Sequence, residues 1–114
     1  MDVSTMQARA VGLARMYDQL NVARGQTVWT GKELTLGLVG DVGDLAKAVQ
    51  SLAGDRTLSE ARTKLEHELV DCLWSILVLS DRFGVDLQVV FEGNMGALEM
   101  KVSEALAEVE RERG

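Results

Sequence analysis

The fold is decided by residues 65–83, LEHELVDCLWSILVLSDRF, which have the pattern of one long helix. Apolar side chains recur there in steps of four and three, the spacing of a helix that packs on a neighbour along one seam. From Cys72 to Leu79 the stretch is apolar on nearly every side, so we expect burial all round and, in so small a chain, a second subunit that completes it. The predicted seam consists of Leu65, Leu69, Cys72, Ile76, Leu79 and Phe83.

A similar seam precedes this stretch, at Leu38, Val42, Leu45, Val49 and Leu52. Capping and periodicity predict four helices, over about 4–21, 31–53, 57–82 and 87–110, with a bend or break near Gly93 and Gly96. The last helix should bury apolar residues including Phe91 and Leu98. We predict an all-α, four-helix bundle that forms a single domain over residues 1–114 and assembles as a homo-oligomer.

Composition supports this class. The chain has 114 residues, 46% of them hydrophobic, and no proline. Its net charge of −6 argues against a nucleic-acid-binding surface. The sequence contains no apolar run long enough for a membrane span, and its first residues lack the order of a secretion signal. We therefore expect a soluble, cytoplasmic protein.

Two acidic pairs accompany the two seams. Asp41 and Asp44 precede two successive residues of the first seam by one position, and Glu68 and Asp71 do the same in the second. Residues three apart on a helix face the same way. If the helices pack on their seams, four carboxylates converge at the edge of the core.

Such a cluster suits a hard divalent cation, Mg²⁺ or Mn²⁺, because its ligands are all oxygens. The chemistry that it supports is displacement at phosphorus, with a carboxylate, or a neighbour such as Glu66, as the proton acceptor. The alternative is that all four acids lie on solvated helix surfaces, as acids of stable bundles commonly do.

Both motifs, with their flanks, resemble a known family. Residues 38–46, LVGDVGDLA, are similar to the first metal-binding motif of MazG-like nucleoside triphosphate pyrophosphohydrolases, especially the dCTP pyrophosphatase branch. Residues 66–74, EHELVDCLW, resemble the second motif, and residues 81–87 resemble the turn that leads into the last helix of the family. The resemblance covers about residues 30–100.

The resemblance implies an all-α bundle that forms dimers or dimers of dimers, with sites at subunit contacts. The implied activity is hydrolysis of (deoxy)nucleoside triphosphates to monophosphate and pyrophosphate, which removes surplus or noncanonical nucleotides. The implied Mg²⁺ ligands and catalytic residues are Asp41, Asp44, Glu68 and Asp71.

The chain departs from the family pattern in two places. The first motif has Asp at both positions where the family usually has Glu. The stretch 94–98, NMGAL, is comparable to a Lys-Met-x-x-x-Asn-type segment with which relatives hold phosphate, but it has Asn94 at the Lys position, and the Asn that ends the segment is missing. These departures motivate an alternative function, a non-catalytic helical oligomerisation module with a degenerate metal site.

Three further residues are candidates for substrate contact. Trp29 lies in the loop before the first acidic helix and could stack on a base. Lys47 and Lys64 lie near the acidic pairs on their own helices. We favour ordinary ion pairs within the helix for both lysines, and contact with a triphosphate is the alternative.

Overall fold

A computed structural model describes residues 1–54 and 59–114, and its regular structure there consists of four helices. They are α1 (Val3–Ala23), α2 (Gly31–Leu52), α3 (Ala61–Arg82) and α4 (Leu87–Arg113). The described residues contain no strand, which confirms the all-α class. Among these residues, no helix is both long enough and apolar enough to cross a membrane.

Local capping explains most helix ends. Asp2 caps α1, accepting a hydrogen bond from the Thr5 backbone nitrogen at 2.8 Å, and α2 begins with the predicted capping box of Thr30 and Glu33. Gly84 follows α3 with a φ of 66°, in the left-handed region that a glycine adopts without strain. The predicted start of α3 at residue 57 lies outside the described residues.

The first compact unit, Met1–Gly84, has α3 at its centre, packed on both α1 and α2. Small side chains dominate its interior, so the helix backbones approach closely. The Trp74 indole nitrogen donates a hydrogen bond to the Ala10 carbonyl at 3.1 Å, which ties α3 to α1. The buried apolar residues are Ala10, Ala14, Leu34, Ala48, Cys72, Leu77 and Val78.

The two seams match the apolar pattern at alternate positions: Leu38, Leu45, Leu65 and Cys72 lie in them as predicted, whereas residues 42, 49, 69 and 76 are replaced by the residues that precede them. Val42 and Leu69 of the predicted seams are half exposed, whereas Asp41 and Glu68 are partly buried where α2 meets α3. In α2 the partly or fully buried series is Leu34, Leu38, Asp41, Leu45 and Ala48, and in α3 it is Ala61, Leu65, Glu68, Cys72 and Ser75. Each pair therefore has one acid in the seam and one beside it.

The physical reason is that α3 has more apolar surface than its two neighbours cover. Leu73 and Ile76 are about 40% exposed, and Phe83, predicted as the end of the seam, is 73% exposed. The contact with α2 uses the side of α3 that carries small and polar groups, and leaves a broad apolar stripe uncovered. Burial of α3 on all sides is therefore incomplete within the first unit.

The second compact unit, Val85–Gly114, consists mainly of α4. Asp86 caps the helix by accepting a hydrogen bond from the Val89 backbone nitrogen at 3.2 Å. The helix continues without a break through Gly93 and Gly96, contrary to the expected interruption. The predicted interior positions Phe91 and Leu98 are exposed, and none of the residues of α4, all of them described, is buried.

The core of the first unit predicts a test of stability. Val78 is 1% exposed, so Val78→Ala removes two methyl groups from a packed site and should lower the free energy of unfolding by about 2 kcal/mol. Val39→Ala is the matched control, because Val39 is 65% exposed on α2 and its truncation should change stability by less than about 0.5 kcal/mol. Urea unfolding measures both; equal losses would contradict this core.

Candidate metal centre and aromatic cleft

Three carboxylates from two helices meet at the α2–α3 seam. Asp41, Asp44 and Glu68 each offer one oxygen, and these oxygens lie within 4.8 Å of one another. Asp41 and Asp44 share one face of α2 because they are three residues apart, and α3 brings Glu68 against them. The structure thus brings together three of the four predicted ligands.

The position of Asp41 and Glu68 in the seam changes their acidity. Burial raises the pKa of the Asp41 carboxyl above its usual range, and the charges of Asp71 and Asp44 raise it further. Burial likewise raises the pKa of Glu68, with the three aspartates adding to the effect and His67 opposing it. Removal from water disfavours the charged form, and neighbouring like charges do the same. The cluster is therefore short of positive charge.

Asp71, the fourth predicted ligand, lies outside the group of three. Its side chain is exposed, and its charge acts on Asp41, Glu68 and the thiol of Cys72, whose pKa burial raises first and these carboxylates raise further. Asp71 and Asp41 line the same cleft. The fourth carboxylate is thus near the cluster, and lines the same cleft as Asp41, without belonging to the group of three.

One oxygen of the cluster has no partner in the described part of the chain. Glu68 Oε2 is shielded from solvent and accepts no hydrogen bond there. A buried carboxylate oxygen without a donor is costly. A divalent cation ligated by oxygens would satisfy it and would offset the repulsion among the three acids, so the residues present fit Mg²⁺ or Mn²⁺.

An aromatic cleft opens beside the carboxylates. Its volume is about 450 Å³, which is within the range of small-molecule sites. The rings of Tyr17 and Trp29 stack with centroids 5.6 Å apart, and Trp74 meets Tyr17 edge-on at 5.9 Å. The cleft is lined by Leu13, Tyr17, Trp29, Glu33, Leu34, Gly37, Asp41, Val70, Asp71, Trp74 and Ser75.

The end of α3 holds the loop that carries Trp29. Arg82 donates a guanidinium hydrogen bond to the Trp29 carbonyl. The Phe83 ring covers the start of α2 so closely that a Cβ added to Gly31 would lie 3.1 Å from Phe83 Cζ. The candidate base-stacking residue is therefore positioned by contacts with a helix more than fifty residues away in the sequence.

The basic and acidic residues around the motifs have ordinary surroundings. Lys47 Nζ lies 3.9 Å from Asp44 Oδ1, an exposed pair three residues apart on α2. Lys64 is exposed in the first turn of α3. Glu66 pairs with Arg62 at 3.5 Å on the surface of α3, and it is not among the residues that line the cleft.

Some of the residues that line the cleft could have been predicted from the sequence, and others could not. Glu33 and Gly37 line it together with Asp41, at steps of four along one face of α2. That spacing can be read from the sequence, and it extends the pair of Asp41 and Asp44 into a longer strip of residues on one face of α2. The contact of Tyr17 with Trp29 and Trp74 could not be predicted from the sequence, because it joins α1, a loop and α3.

Comparison with known proteins yields one informative likeness. The chain is 31% identical over 71 residues to the Gene 37 protein of Mycobacterium phage L5. The match covers 60% of this chain and 62% of that protein, whose name states no activity. No protein-family model matches the chain, and no solved structure matches it.

The raised pKa values of Asp41 and Glu68 predict how stability depends on pH when metal is chelated. In the folded chain both carboxyls hold protons more tightly than in the unfolded chain, where they titrate near 3.8 and 4.5. Their contribution to the free energy of unfolding is thus most favourable at low pH and declines as pH rises through the raised folded values.

Asp41→Asn removes the part of this decline that comes from Asp41. It should stabilise the metal-free chain at pH 7 by about 0.5–1 kcal/mol, with a smaller gain at pH 4. The control Glu104→Gln removes an exposed charge from α4 and should change stability by less than about 0.5 kcal/mol. Urea unfolding in chelator at both pH values measures the difference. A variant less stable than the wild type at pH 7 would refute this account.

Metal binding predicts a second result. A ligand that binds only the folded chain stabilises it by about 2.7 kcal/mol at a hundredfold excess over Kd. Mg²⁺ or Mn²⁺ should therefore raise the Tm of the wild type and of Glu104→Gln, but not of Asp44→Asn, which lacks one ligand charge. Thermal melting checks this, and an unchanged shift in Asp44→Asn would exclude Asp44 as a ligand.

Proposed function

We propose that the chain is a Mg²⁺-dependent pyrophosphohydrolase of (deoxy)nucleoside triphosphates, which clears surplus or noncanonical nucleotides. The proposal is supported chiefly by one observation, the shared position of Asp41. Asp41 belongs to the three-carboxylate group and also lines the aromatic cleft, together with Asp71. A ligand with a flat base and a phosphate chain is complementary to both parts at once.

The cleft supplies recognition of the base. Bases stack on aromatic side chains with about 1–3 kcal/mol each, and Trp29, Tyr17 and Trp74 present three rings within one cavity. With the base among the rings, the phosphate chain extends toward Asp41 and the other carboxylates. This arrangement favours a nucleotide over a simple phosphate ester, which would have no group to fill the apolar part of the cleft.

Asp41, Asp44 and Glu68 would hold the cation. When bound, Mg²⁺ offsets the charge of the phosphates and makes a nearby water more acidic. The orphaned Glu68 oxygen and the mutual repulsion of the three acids support this assignment. The shorter Asp side chains of the first motif fit it, because Asp41 reaches the cluster from inside the seam and needs no longer stem.

Asp71 is the proposed proton acceptor. A water oxygen bonds to the α-phosphorus while the bond from that phosphorus to the α–β bridging oxygen breaks. The electron pair of that bond leaves with pyrophosphate, and the proton of the water passes to the Asp71 carboxylate and then to solvent. Asp71 suits this role because it is exposed, lines the cleft and lies outside the group of three.

The second candidate is a non-catalytic oligomerisation module that keeps the fold with a degenerate metal site. The exposed apolar surfaces of α3 and α4 favour it, as does the double Asp of the first motif. This candidate predicts no metal-dependent rise in Tm and no turnover. The hydrolase predicts a metal-dependent rise in Tm as well as turnover. The melting experiment therefore separates the two candidates without knowledge of the substrate.

A substrate panel tests the hydrolase. Each deoxy- and ribonucleoside triphosphate is incubated with the chain and Mg²⁺, and monophosphate and pyrophosphate are measured. Asp71→Asn should lower kcat by about 10²-fold or more, because the proton acceptor is lost, while the metal-dependent rise in Tm remains. Asp44→Asn should lose both, and Glu104→Gln neither.

One outcome would reject the proposal, and another would change the role of one residue in it. No turnover of any triphosphate by the wild type would reject the enzyme, even if metal binding persists. Full activity in Asp71→Asn would leave hydrolysis in place but assign the proton to another group.

A further inference from the structure

The charged groups that line the aromatic cleft all have the same sign. Three carboxylates line it, those of Glu33, Asp41 and Asp71, and none of the described residues around it is a lysine, an arginine or a histidine. The cleft therefore offers negative charge and hydrogen-bond acceptors beside its rings. The proposed function uses Asp41 at the cation and Asp71 at the water, and leaves Glu33 without a role.

Glu33 is held at the start of α2 with its charge intact. The Thr30 backbone nitrogen donates a hydrogen bond to Glu33 Oε2 at 2.8 Å, and the Thr30 hydroxyl donates to the same oxygen. These hydrogen bonds lower the pKa of the Glu33 carboxyl, so the group is ionised at neutral pH. In the described part of the chain the other oxygen, Oε1, accepts no hydrogen bond, which leaves it available to a donor on a ligand.

Ser75 is a second polar group that the proposed function does not use. It is only 4% exposed and lines the cleft, and its hydroxyl has no hydrogen bond with any residue that the structure describes. A hydroxyl without a partner in a largely buried residue is costly. Because the rest of Ser75 is buried, the cleft is the side from which a ligand can supply that partner.

The rings favour a ligand that is flat and positively charged. Trp29 is 41% exposed and Tyr17 is 40% exposed, so open ring surface remains beyond their mutual stack, whose interplanar angle is 25°. A flat base extends such a stack. The face of an aromatic ring is negative and attracts a cation, most strongly at tryptophan. A cationic base therefore gains from the rings and from the carboxylates, whereas a neutral base gains mainly from stacking.

We propose that the aromatic cleft selects nucleotides whose base is N-alkylated and carries a fixed positive charge, as 7-methylguanine does. The base stacks on Trp29, an amino group on its edge donates to Glu33, and the same edge bonds to the Ser75 hydroxyl. The positive charge of the base offsets the negative charge of Glu33 and Asp71. This inference rests on the proposed function, because it names the class of nucleotide that the same site takes.

A matched pair of nucleosides tests this preference without hydrolysis. 7-Methylguanosine and guanosine differ only in the methyl group and the positive charge that it brings. Each is titrated into the full chain at pH 6 in chelator. The fluorescence of Trp29 and Trp74 reports binding, because these are the two tryptophans of the chain and both line the cleft. 7-Methylguanosine should bind about tenfold more tightly than guanosine, and 3-methylcytidine should exceed cytidine in the same way.

Glu33→Gln tests the carboxylate. Glutamine also serves at this position of a capping box, so α2 still begins there while the charge is lost. The preference for 7-methylguanosine should fall from about tenfold to about threefold or less, since the exposed carboxylate shares the effect with the rings. Glu66→Gln is the matched control, because it removes an exposed acid of α3 that does not line the cleft, and the preference should stay unchanged.

Ser75→Ala tests the hydroxyl. It should weaken the binding of both nucleosides by a similar factor of about threefold, because one hydrogen bond to the base edge is lost while the charge of the cleft remains. Unchanged binding of both nucleosides would remove Ser75 from the proposal.

Several results would overturn the proposal. Equal affinity for guanosine and 7-methylguanosine would do so, as would the absence of binding by either nucleoside. A preference that is unchanged in Glu33→Gln would show that this carboxylate does not read the charge. Tetramethylammonium that binds as tightly as 7-methylguanosine would show that the cleft takes a compact cation and not a base.

Hydrolysis separates this inference from the proposed function. In the substrate panel, kcat/KM for 7-methylguanosine triphosphate should exceed that for GTP by about tenfold. Equal values with turnover intact would overturn the inference and leave the proposed function standing. Selective binding of 7-methylguanosine without turnover of any triphosphate would reject the hydrolase and leave recognition of the cationic base in place.

Discussion

The structure depends on the partial burial of two carboxylates, Asp41 and Glu68, where α2 meets α3. In a helix pair stabilised only by apolar contact, these positions would hold leucine or valine. Burial and mutual repulsion raise both pKa values, and one Glu68 oxygen lacks a donor. The same contact that joins the two helices therefore creates a local deficit of positive charge. A cation that removes this deficit would be bound by the fold itself, not by a loop attached to it.

The central helix α3 contributes to the candidate site and also carries exposed apolar side chains. One side contributes Glu68 to the carboxylates, a second carries Trp74 against α1, and a third leaves Leu73 and Ile76 exposed. Its all-round apolar sequence is thus divided between two neighbouring helices and one exposed side. Trp74 lines both the aromatic cleft and an apolar groove between α1 and α3.

Local chemistry made the helix ends predictable. The Thr30 and Glu33 box and the glycine at 84 need only neighbours within a few residues, and both ends are found where the pattern predicted them. Alternate positions of each seam were predicted one residue too late because periodicity identifies the most apolar stripe, and α3 has more than one stripe that could face α2. Packing selected the stripe with small residues, which put Asp41 and Glu68 in the seam and not beside it.

By itself, the sequence determined the helical class, most of the helix boundaries and the two acidic pairs, because each depends on capping or on spacing along one helix. Only the tertiary structure decided that Asp41, Asp44 and Glu68 converge while Asp71 turns to the cleft, and that three aromatic rings meet beside them. These facts depend on the rotation of one helix against another. A rotation smaller than the roughly 100° between successive residues exchanges a solvated acid for a partly buried one, and no pattern within a single helix contains that angle.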